Sequence, residues 1–182
     1  MTDDTSQPLD TSQPLTATRL DRYTPDDQRE ILGDAPDPFG VADAGLSWLP
    51  KEEHFGVRSG GRLVAHAGLV RIPLAVGDTR TDVVGVGGVA VAAELRGRGL
   101  ARTVVSAALD HARTMGPRHA LLFCRPPLVA LYARLGWRLL DQEVRVEQAD
   151  GPVVMPLRTM WTPLRDGATW PSGAVRLLSY PM

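Results

Sequence analysis

Cysteine and long apolar runs are nearly missing from this sequence. The single cysteine, Cys124, cannot form a disulfide within the chain, so nothing implies an oxidising compartment. The longest apolar run, Val83–Ala93, is too short to cross a bilayer, and the acidic, polar N-terminus lacks the basic and apolar regions of a signal peptide. We therefore expect a cytoplasmic protein without a membrane partner.

Charge of either sign is not in excess, since the formal net charge is −1 over 182 residues. Such a balance gives no general attraction to nucleic acid, and no basic patch with interleaved aromatic residues is present. The one lysine, Lys51, contrasts with abundant arginine, which points to a GC-rich bacterial genome. The histidines have no metal-ligand spacing, so we expect no metal site; they are His54, His66, His111 and His119.

The N-terminus contains a direct duplication, in which residues 4–9 are repeated as residues 10–15. Both copies are polar, contain proline and have no periodic apolar face, so we predict a disordered leader over residues 1–15. With 43% hydrophobic residues, the rest of the chain is sufficient for a sizeable core. We therefore predict a single domain over residues 16–182.

Apolar periodicity and turn residues predict strands alternating with helices. Helices are expected over 25–32, around 41–48, over 100–115 and over 128–135; strands are expected over 16–23, 54–58, 62–76, 81–92, 120–124, 138–148, 153–162 and 174–180. Thr24 is a candidate N-cap, and Pro25 suits the first helical position. The short turns favour antiparallel neighbours, so we predict an α/β (α+β) fold with a mixed, mostly antiparallel sheet and helices on both faces.

The loop Arg96–Ala101 joins a strand to a helix and has the features of an anion cradle. Its glycines allow a close approach of the backbone, and the first N–H groups of the helix favour negative charge. A P-loop is excluded because no Gly-Lys follows, and Arg102 stands where a dinucleotide fingerprint needs a third small residue. The remaining pattern, Arg/Gln-x-x-Gly-x-Gly/Ala, is satisfied by Arg96, Gly99 and Ala101.

A second segment follows about thirty residues later, where the predicted strand Ala120–Cys124 precedes a short helix that ends in Tyr132-x-x-x-Gly136-Trp137. In order and spacing, the two segments together resemble the acyl-CoA-binding core of the GNAT superfamily of N-acetyltransferases. The resemblance implies the GNAT fold, in which a splayed pair of strands holds acyl-CoA. It also implies an acetyl-CoA-dependent N-acetyltransferase that needs no metal.

The resemblance assigns roles to individual residues. The splayed strand would bind pantetheine, the loop would bind pyrophosphate, and Tyr132 would protonate the departing thiolate; transfer would be direct, without a covalent intermediate. A buried Cys124 is interpreted as an inert thiol. The cofactor-binding candidates are Val89, Ala90, Val91, Arg96, Gly97, Arg98, Gly99, Leu100, Ala101 and Arg102.

A weaker resemblance, over roughly residues 53–182, is to the aminoglycoside 2′-N-acetyltransferases and the nodulation acyltransferases. It depends on the segment around His66, on Gly88–Val91, on Tyr132 and on Trp170–Gly173. The aminoglycoside enzymes carry a glutamate immediately before the Gly-Val-Ala-Val strand, where this chain has Gly87. Candidates for the general base are therefore Asp82, His66 and solvent.

Two classes of function remain. The resemblance implies that the segment Asp34–Lys51 forms a lid over the acceptor. The first class is an N-acetyltransferase acting on a primary amine of a small molecule, with aminoglycosides as a lesser alternative because the lid region contains acidic residues: Asp34, Asp37, Asp43, Glu52 and Glu53. The second is a non-catalytic acyl-CoA-binding or sensor module, suggested by the missing glutamate. The sequence identifies neither the acceptor nor the oligomeric state, and a homodimer stays open.

Overall fold

The computed structural model describes residues 14–182, so the predicted leader lies, through residue 13, outside the described residues. The strands are β1 Ala17–Leu20, β2 Glu53–Ser59, β3 Arg62–Val76, β4 Thr79–Val91, β5 His119–Cys124, β6 Arg138–Leu139, β7 Val144–Val146, β8 Val153–Val154, β9 Arg158–Pro163 and β10 Val175–Leu177. The α-helices are α1 Pro25–Leu32, α2 Leu100–Ala112 and α3 Val129–Arg134. None of these helices is long and apolar enough to span a membrane.

The strands form one mixed sheet in the order β6-β9-β5-β4-β3-β10-β7-β8, and β1 and β2 extend it beside β3. Only β4–β5 and β10–β7 are parallel pairs; the other pairs among the described strands are antiparallel. The predicted α/β fold with a mixed, mostly antiparallel sheet is thereby confirmed.

The long strand β3 organises the core because it pairs with β4 along nearly its whole length. On its other edge it pairs first with β2 and then, near its end, with β10. Buried side chains form two clusters: one includes residues of all three α-helices, and the other includes Ile72, Leu74 and the β10 strand. A Trp48-containing segment covers part of the second cluster.

Helix α1 occupies the predicted residues because its start is encoded locally. The Thr24 hydroxyl accepts a hydrogen bond from the Asp27 amide at 3.2 Å, and the Asp27 carboxylate accepts one from the Thr24 amide at 2.7 Å. This reciprocal capping box satisfies N–H groups that have no partner inside the helix. Pro25 follows at the first position, where its missing N–H costs nothing.

Several predicted boundaries are wrong. The strand predicted over 138–148 is two strands, because β6 pairs with β9 whereas β7 pairs with β8 and β10. The strand predicted over 153–162 is likewise divided into β8 and β9, with Pro156 between them. Helix α2 ends at Ala112 instead of 115, and the helix expected around 41–48 is one 3-10 turn, Ala42–Ala44, ended by the left-handed Gly45.

Candidate active site

Strands β4 and β5 separate soon after they meet. Their parallel pairing is limited to Val84 with Ala120 and Gly85 with Leu121. Beyond this point β4 continues to Val91, and its edge toward β5 is left without a strand partner. Backbone N–H and C=O groups on such an edge are free to bind an extended ligand, as in strand addition. A cavity of about 520 Å³ lies along this edge.

The loop after β4 forms the far end of this cavity. Gly97 and Gly99 have φ values of +78° and +80°, a left-handed conformation that favours glycine. Gly99 directly precedes α2, whose first N–H groups have no intrahelical acceptor and carry the positive end of the helix dipole. Arg96 is held by a hydrogen bond from its Nε to the Val91 carbonyl at 3.3 Å. The arrangement is therefore suited to a pyrophosphate.

Most of the predicted cofactor-binding residues meet here. The residues lining the cavity include Val89, Ala90, Val91, Arg96, Gly97, Gly99, Leu100, Ala101 and Arg102. Arg98 is not among the residues that line it. Arg98 therefore lies on the loop but outside the cavity wall. Arg102 lines the cavity, and its guanidinium donates a hydrogen bond to the Arg134 carbonyl at 3.5 Å.

Tyr132 lies between this cavity and a second one, and it lines both. The ring of Trp137 packs edge-on against it at 6.3 Å, and the Trp137 amide donates to the Tyr132 carbonyl at 3.1 Å. Gly136, with a φ of +90°, allows this turn at the end of α3. Burial, with a smaller effect of Cys124, raises the pKa of the Tyr132 hydroxyl well above its usual range. The hydroxyl therefore carries a proton that it can donate.

The second cavity has a volume of about 300 Å³ and mostly apolar walls. It meets the first at Val89, Tyr132 and neighbouring residues of the lid and α3. The aromatic and aliphatic part of its wall includes Phe39, Trp48, Leu122, Phe123 and Leu157. Cys124 also lines it, and burial raises the pKa of this thiol to about 11. A protonated thiol is a weak nucleophile, which agrees with the interpretation of Cys124 as an inert residue.

Two cations, Lys51 and Arg125, line the second cavity, and no aspartate or glutamate is among the described residues of its wall. Sequence reasoning did not identify Lys51 as a site residue. Burial lowers the pKa of its amino group to about 8. Lys51 is the only lysine of the chain, and this was the one feature of the sequence that could have drawn attention to it.

The stem of Lys51 runs across two glycines that are paired between β3 and β4, Gly68 and Gly87. A Cβ added at Gly68 would lie 2.5 Å from Lys51 Cγ, and one at Gly87 would lie 2.5 Å from Cε and 3.1 Å from Nζ. The glycine pair therefore forms the channel through which the lysine reaches the cavity. The Nζ donates to the Leu49 carbonyl at 3.3 Å.

His66, a candidate base, does not reach either cavity. It is 1% exposed, lines neither cavity and lies beside a β-bulge, where the β3–β4 register shifts and Gly88 has a φ of +61°. Its Nδ1 is 2.8 Å from the Gly88 carbonyl, which can only accept, so Nδ1 carries the proton. Nε2 then accepts from His54 Nδ1 at 3.0 Å, and the ring stacks on Tyr23 at 3.6 Å. Burial lowers the pKa of His66 to about 4.

Asp82, the other candidate base, is not brought together with Tyr132. Its carboxylate accepts from Arg71 Nε at 2.8 Å and lines a separate surface cavity with Arg80 and Arg118. None of the five acidic lid residues lines the second cavity. Two of them have other partners, since the Asp37 carboxylate accepts from the amides of residues 41 and 42, and Glu53 pairs with Arg19. The structure thus places neither predicted side-chain base in the second cavity.

The chain is similar to known proteins in both sequence and structure. A family model described as an acetyltransferase (GNAT) domain matches residues 32–140. A search of curated protein sequences found no match. Among solved structures, one similar chain is the GNAT family N-acetyltransferase YhbS of Escherichia coli, in complex with CoA. It is 21% identical over 92% of both chains, with a TM-score of 0.58.

Two further solved structures have the same fold. An acetyltransferase of Bacillus subtilis in complex with CoA is 17% identical over 84% of this chain and 100% of that chain, with a TM-score of 0.56. A GNAT family acetyltransferase of Brucella melitensis in complex with acetyl-CoA is 16% identical, covering 88% and 94% of the two chains, with a TM-score of 0.52. At these identities the likeness concerns the fold.

Proposed function

The chain belongs to the GNAT family of acetyltransferases, and on this premise we propose that it transfers an acetyl group from acetyl-CoA directly to the primary amine of a small molecule. The observation that carries the proposal is the position of Tyr132 between two cavities. The cavity of about 520 Å³ is suited to the acyl donor, and the cavity of about 300 Å³ is suited to the acceptor. We refer to these as the donor cavity and the acceptor cavity.

The donor cavity suits acetyl-CoA along its whole length. The unpaired edge of β4 at Val89–Val91 offers backbone groups to the pantetheine amides, as a neighbouring strand would. At the far end, the left-handed glycines and the N-terminus of α2 offer N–H groups to the pyrophosphate. Arg96 and Arg102 add positive charge there.

The chemistry requires a nucleophilic amine, a polarised thioester and a proton for the leaving thiolate. Acetyl-CoA supplies the acyl group as a thioester. The bulged backbone at Gly88 and Val89 directs amide groups of β4 toward the thioester carbonyl. The acceptor ammonium first loses one proton to solvent, which frees the nitrogen lone pair for attack. As the C–N bond forms and the C–S bond breaks, the Tyr132 hydroxyl donates its proton to sulfur, and the nitrogen gives up its second proton to solvent, from which the tyrosine is reprotonated. The protonated Cys124 thiol is not needed as an acyl carrier.

A small acceptor fits the size of the acceptor cavity, about 300 Å³. A polycationic aminoglycoside does not suit it, because the described residues of its wall supply two cations and no carboxylate side chain. Two positive walls repel an acceptor that carries several ammonium groups. We therefore do not extend the proposal to aminoglycosides.

The test is a measurement of CoA release from acetyl-CoA with a panel of primary amines, together with acetyl-CoA binding measured by calorimetry. We expect both binding and amine-dependent release. Tight acetyl-CoA binding without release for any amine would support the non-catalytic sensor instead, and the absence of binding would contradict both functions. Mass spectrometry of the product identifies the acetylated nitrogen.

A further inference from the structure

We infer that the acceptor of the proposed reaction carries an anionic group close to its amine, and that the Lys51 ammonium binds this group. The inference rests on the proposed function for the identity of the site, but it makes a separate claim about what the acceptor cavity binds. The acceptor is therefore a compound with an amine, a nearby carboxylate and an apolar substituent, as in an apolar amino acid.

The fold makes room for the Lys51 side chain at two glycines. Gly68 and Gly87 face each other on adjacent strands, and both would collide with the lysine if they carried a side chain. The stem of Lys51 therefore passes over the sheet and delivers Nζ to the wall of the acceptor cavity. A flexible surface lysine needs no such channel.

The Lys51 side chain brings a positive charge to the wall of the acceptor cavity. The only hydrogen bond that the structure gives Nζ is to the Leu49 carbonyl, and no ion pair joins it to an acidic group of residues 14–182. The pKa of Lys51 is lowered by burial alone to about 8. At pH 7 the amino group is therefore still mostly protonated. Met182 lines the same wall, and its carboxyl carbon lies 3.3 Å from the Cβ added at Gly87, but no ion pair joins it to Lys51. A partly buried cation that no ion pair neutralises gains most from an anionic ligand.

The wall of the acceptor cavity around Lys51 is positively charged and otherwise mostly apolar. Arg125 adds a second cation, and the described residues of the wall include no aspartate or glutamate. The remaining surface is apolar and aromatic, with Phe39, Trp48 and Leu157 among its members. An acceptor that matches this wall has an apolar substituent as well as a negative charge.

The Lys51 amino group lies close to the place where the two cavities meet. The Lys51 amino group lies beside Gly87, two residues before Val89, where the donor and acceptor cavities meet. Two residues of fully extended strand span about 7 Å, and the bulge at Gly88 shortens this span, so 7 Å is an upper limit. An amine at the thioester and an anion at Lys51 must therefore be only a few bonds apart in one molecule. The α- and β-amino acids satisfy this condition, whereas long polyamines do not.

The kinetic test compares each of the amino acids with its uncharged amide as acceptor. For the preferred acceptor, kcat/KM should be at least about tenfold higher for the carboxylate than for the amide. The Lys51→Met variant keeps the stem and removes the charge, so it should raise KM for the carboxylate about tenfold or more and leave the amide nearly unchanged. A fall in kcat that is equal for both would instead make Lys51 a general base and overturn the inference.

A binding test does not depend on turnover. Because Lys51 is the only lysine, protein labelled with ¹³C at the lysine Cε gives a single lysine signal. With CoA bound, adding the amino acids in turn should raise the pKa of this signal for at least one carboxylate and for none of the amides. If no carboxylate changes the signal, the inference is wrong. If a carboxylate binds but no amine is acetylated, the proposed function fails and the anion site remains.

Discussion

The amino group of Lys51 occupies the space into which a side chain at Gly87 would project, with Nζ 3.1 Å from an added Cβ. Gly87 does not have a left-handed backbone, so alanine is compatible with its conformation. The Gly87→Ala variant should therefore fold, with a free energy of unfolding changed by less than about 1 kcal/mol, because the added Cβ meets the flexible end of the lysine and, at 3.3 Å, the carboxyl carbon of Met182, the last residue of the sequence. We expect KM for the acceptor to rise while acetyl-CoA binding is unchanged.

A double-mutant cycle separates the lysine from other effects of this alanine. In a Lys51→Ala background, Gly87→Ala should have no further effect on the acceptor KM, since the displaced amine is already gone. Gly68→Ala is a contrasting variant, because its Cβ meets the Cβ and Cγ of Lys51 near the backbone. It should cost about 1–3 kcal/mol in urea unfolding. Equal stability of the two alanine variants would contradict the channel.

Tyr132→Phe should lower kcat about a hundredfold or more and change the Kd of acetyl-CoA little, since a general acid contributes to the transition state and not to ground-state binding. The measurement is steady-state CoA release beside calorimetry. Tyr23→Phe is the matched control, because this buried hydroxyl has no hydrogen-bond partner in the described structure and lines neither cavity. Unchanged turnover in Tyr132→Phe would exclude this residue as the acid.

Cys124 lines the acceptor cavity but should not carry the acyl group. Because burial raises the pKa of its thiol to about 11, the thiolate is scarce near neutral pH. We expect Cys124→Ser to keep kcat within about fivefold of the wild-type value, where loss of a covalent nucleophile would cost orders of magnitude. Intact-mass measurement after acetyl-CoA addition without acceptor should detect no acetylated protein. An acetyl adduct that disappears in Cys124→Ser would contradict direct transfer.

Arg96 and Arg98 should contribute unequally to donor binding, because Arg96 lines the donor cavity and Arg98 does not. A charge-assisted contact to phosphate is worth about 1.5–3 kcal/mol, so Arg96→Ala should weaken acetyl-CoA binding by about tenfold or more. Arg98→Ala should have a smaller effect. Acetylpantetheine, which lacks the pyrophosphate, provides the internal control, and its binding should be insensitive to Arg96→Ala. Equal losses for both donors would remove the pyrophosphate from the explanation.

The donor half of the site was predictable because its determinants are local in sequence. Gly97 and Gly99 permit left-handed backbone directly before a helix, and Gly136 permits the turn that brings Trp137 against Tyr132. Each of these relations spans five residues or fewer, so spacing alone carries it. The capping box at Thr24 fixes the start of α1 in the same way.

The acceptor half was not predictable because it depends on pairing between distant residues. In the sequence, Gly68 and Gly87 are simply glycines that weaken two predicted strands. Only the β3–β4 register brings them side by side, so that together they form a channel for Lys51. His66 appeared as a candidate base because of its strand, but its ring is buried and bonded to the Gly88 carbonyl at the bulge, and it lines neither cavity. The strand predicted over 138–148 failed for a similar reason, since an apolar pattern does not reveal a change of partner strand.

His66 predicts a loss of stability in acid. Its pKa is lowered by burial to about 4, whereas the unfolded chain should titrate near the ordinary value of about 6.5. Between these values the unfolded state binds more protons, so stability is fully present above pH 6.5 and is lost as the pH falls toward 4. At pH 5 this one group should lower the free energy of unfolding by about 2 kcal/mol relative to pH 7.

The measurement is urea unfolding at pH 7, 6 and 5 for the wild type and for His66→Phe, which keeps a ring against Tyr23 but cannot titrate. The variant should be less stable than the wild type at pH 7, because the Gly88 carbonyl loses its donor. Its stability should nevertheless fall less steeply with acid, and the two curves should converge toward pH 5. Parallel curves would show that His66 titrates equally in the folded and unfolded chains, and would contradict a buried, neutral imidazole that supports the bulge.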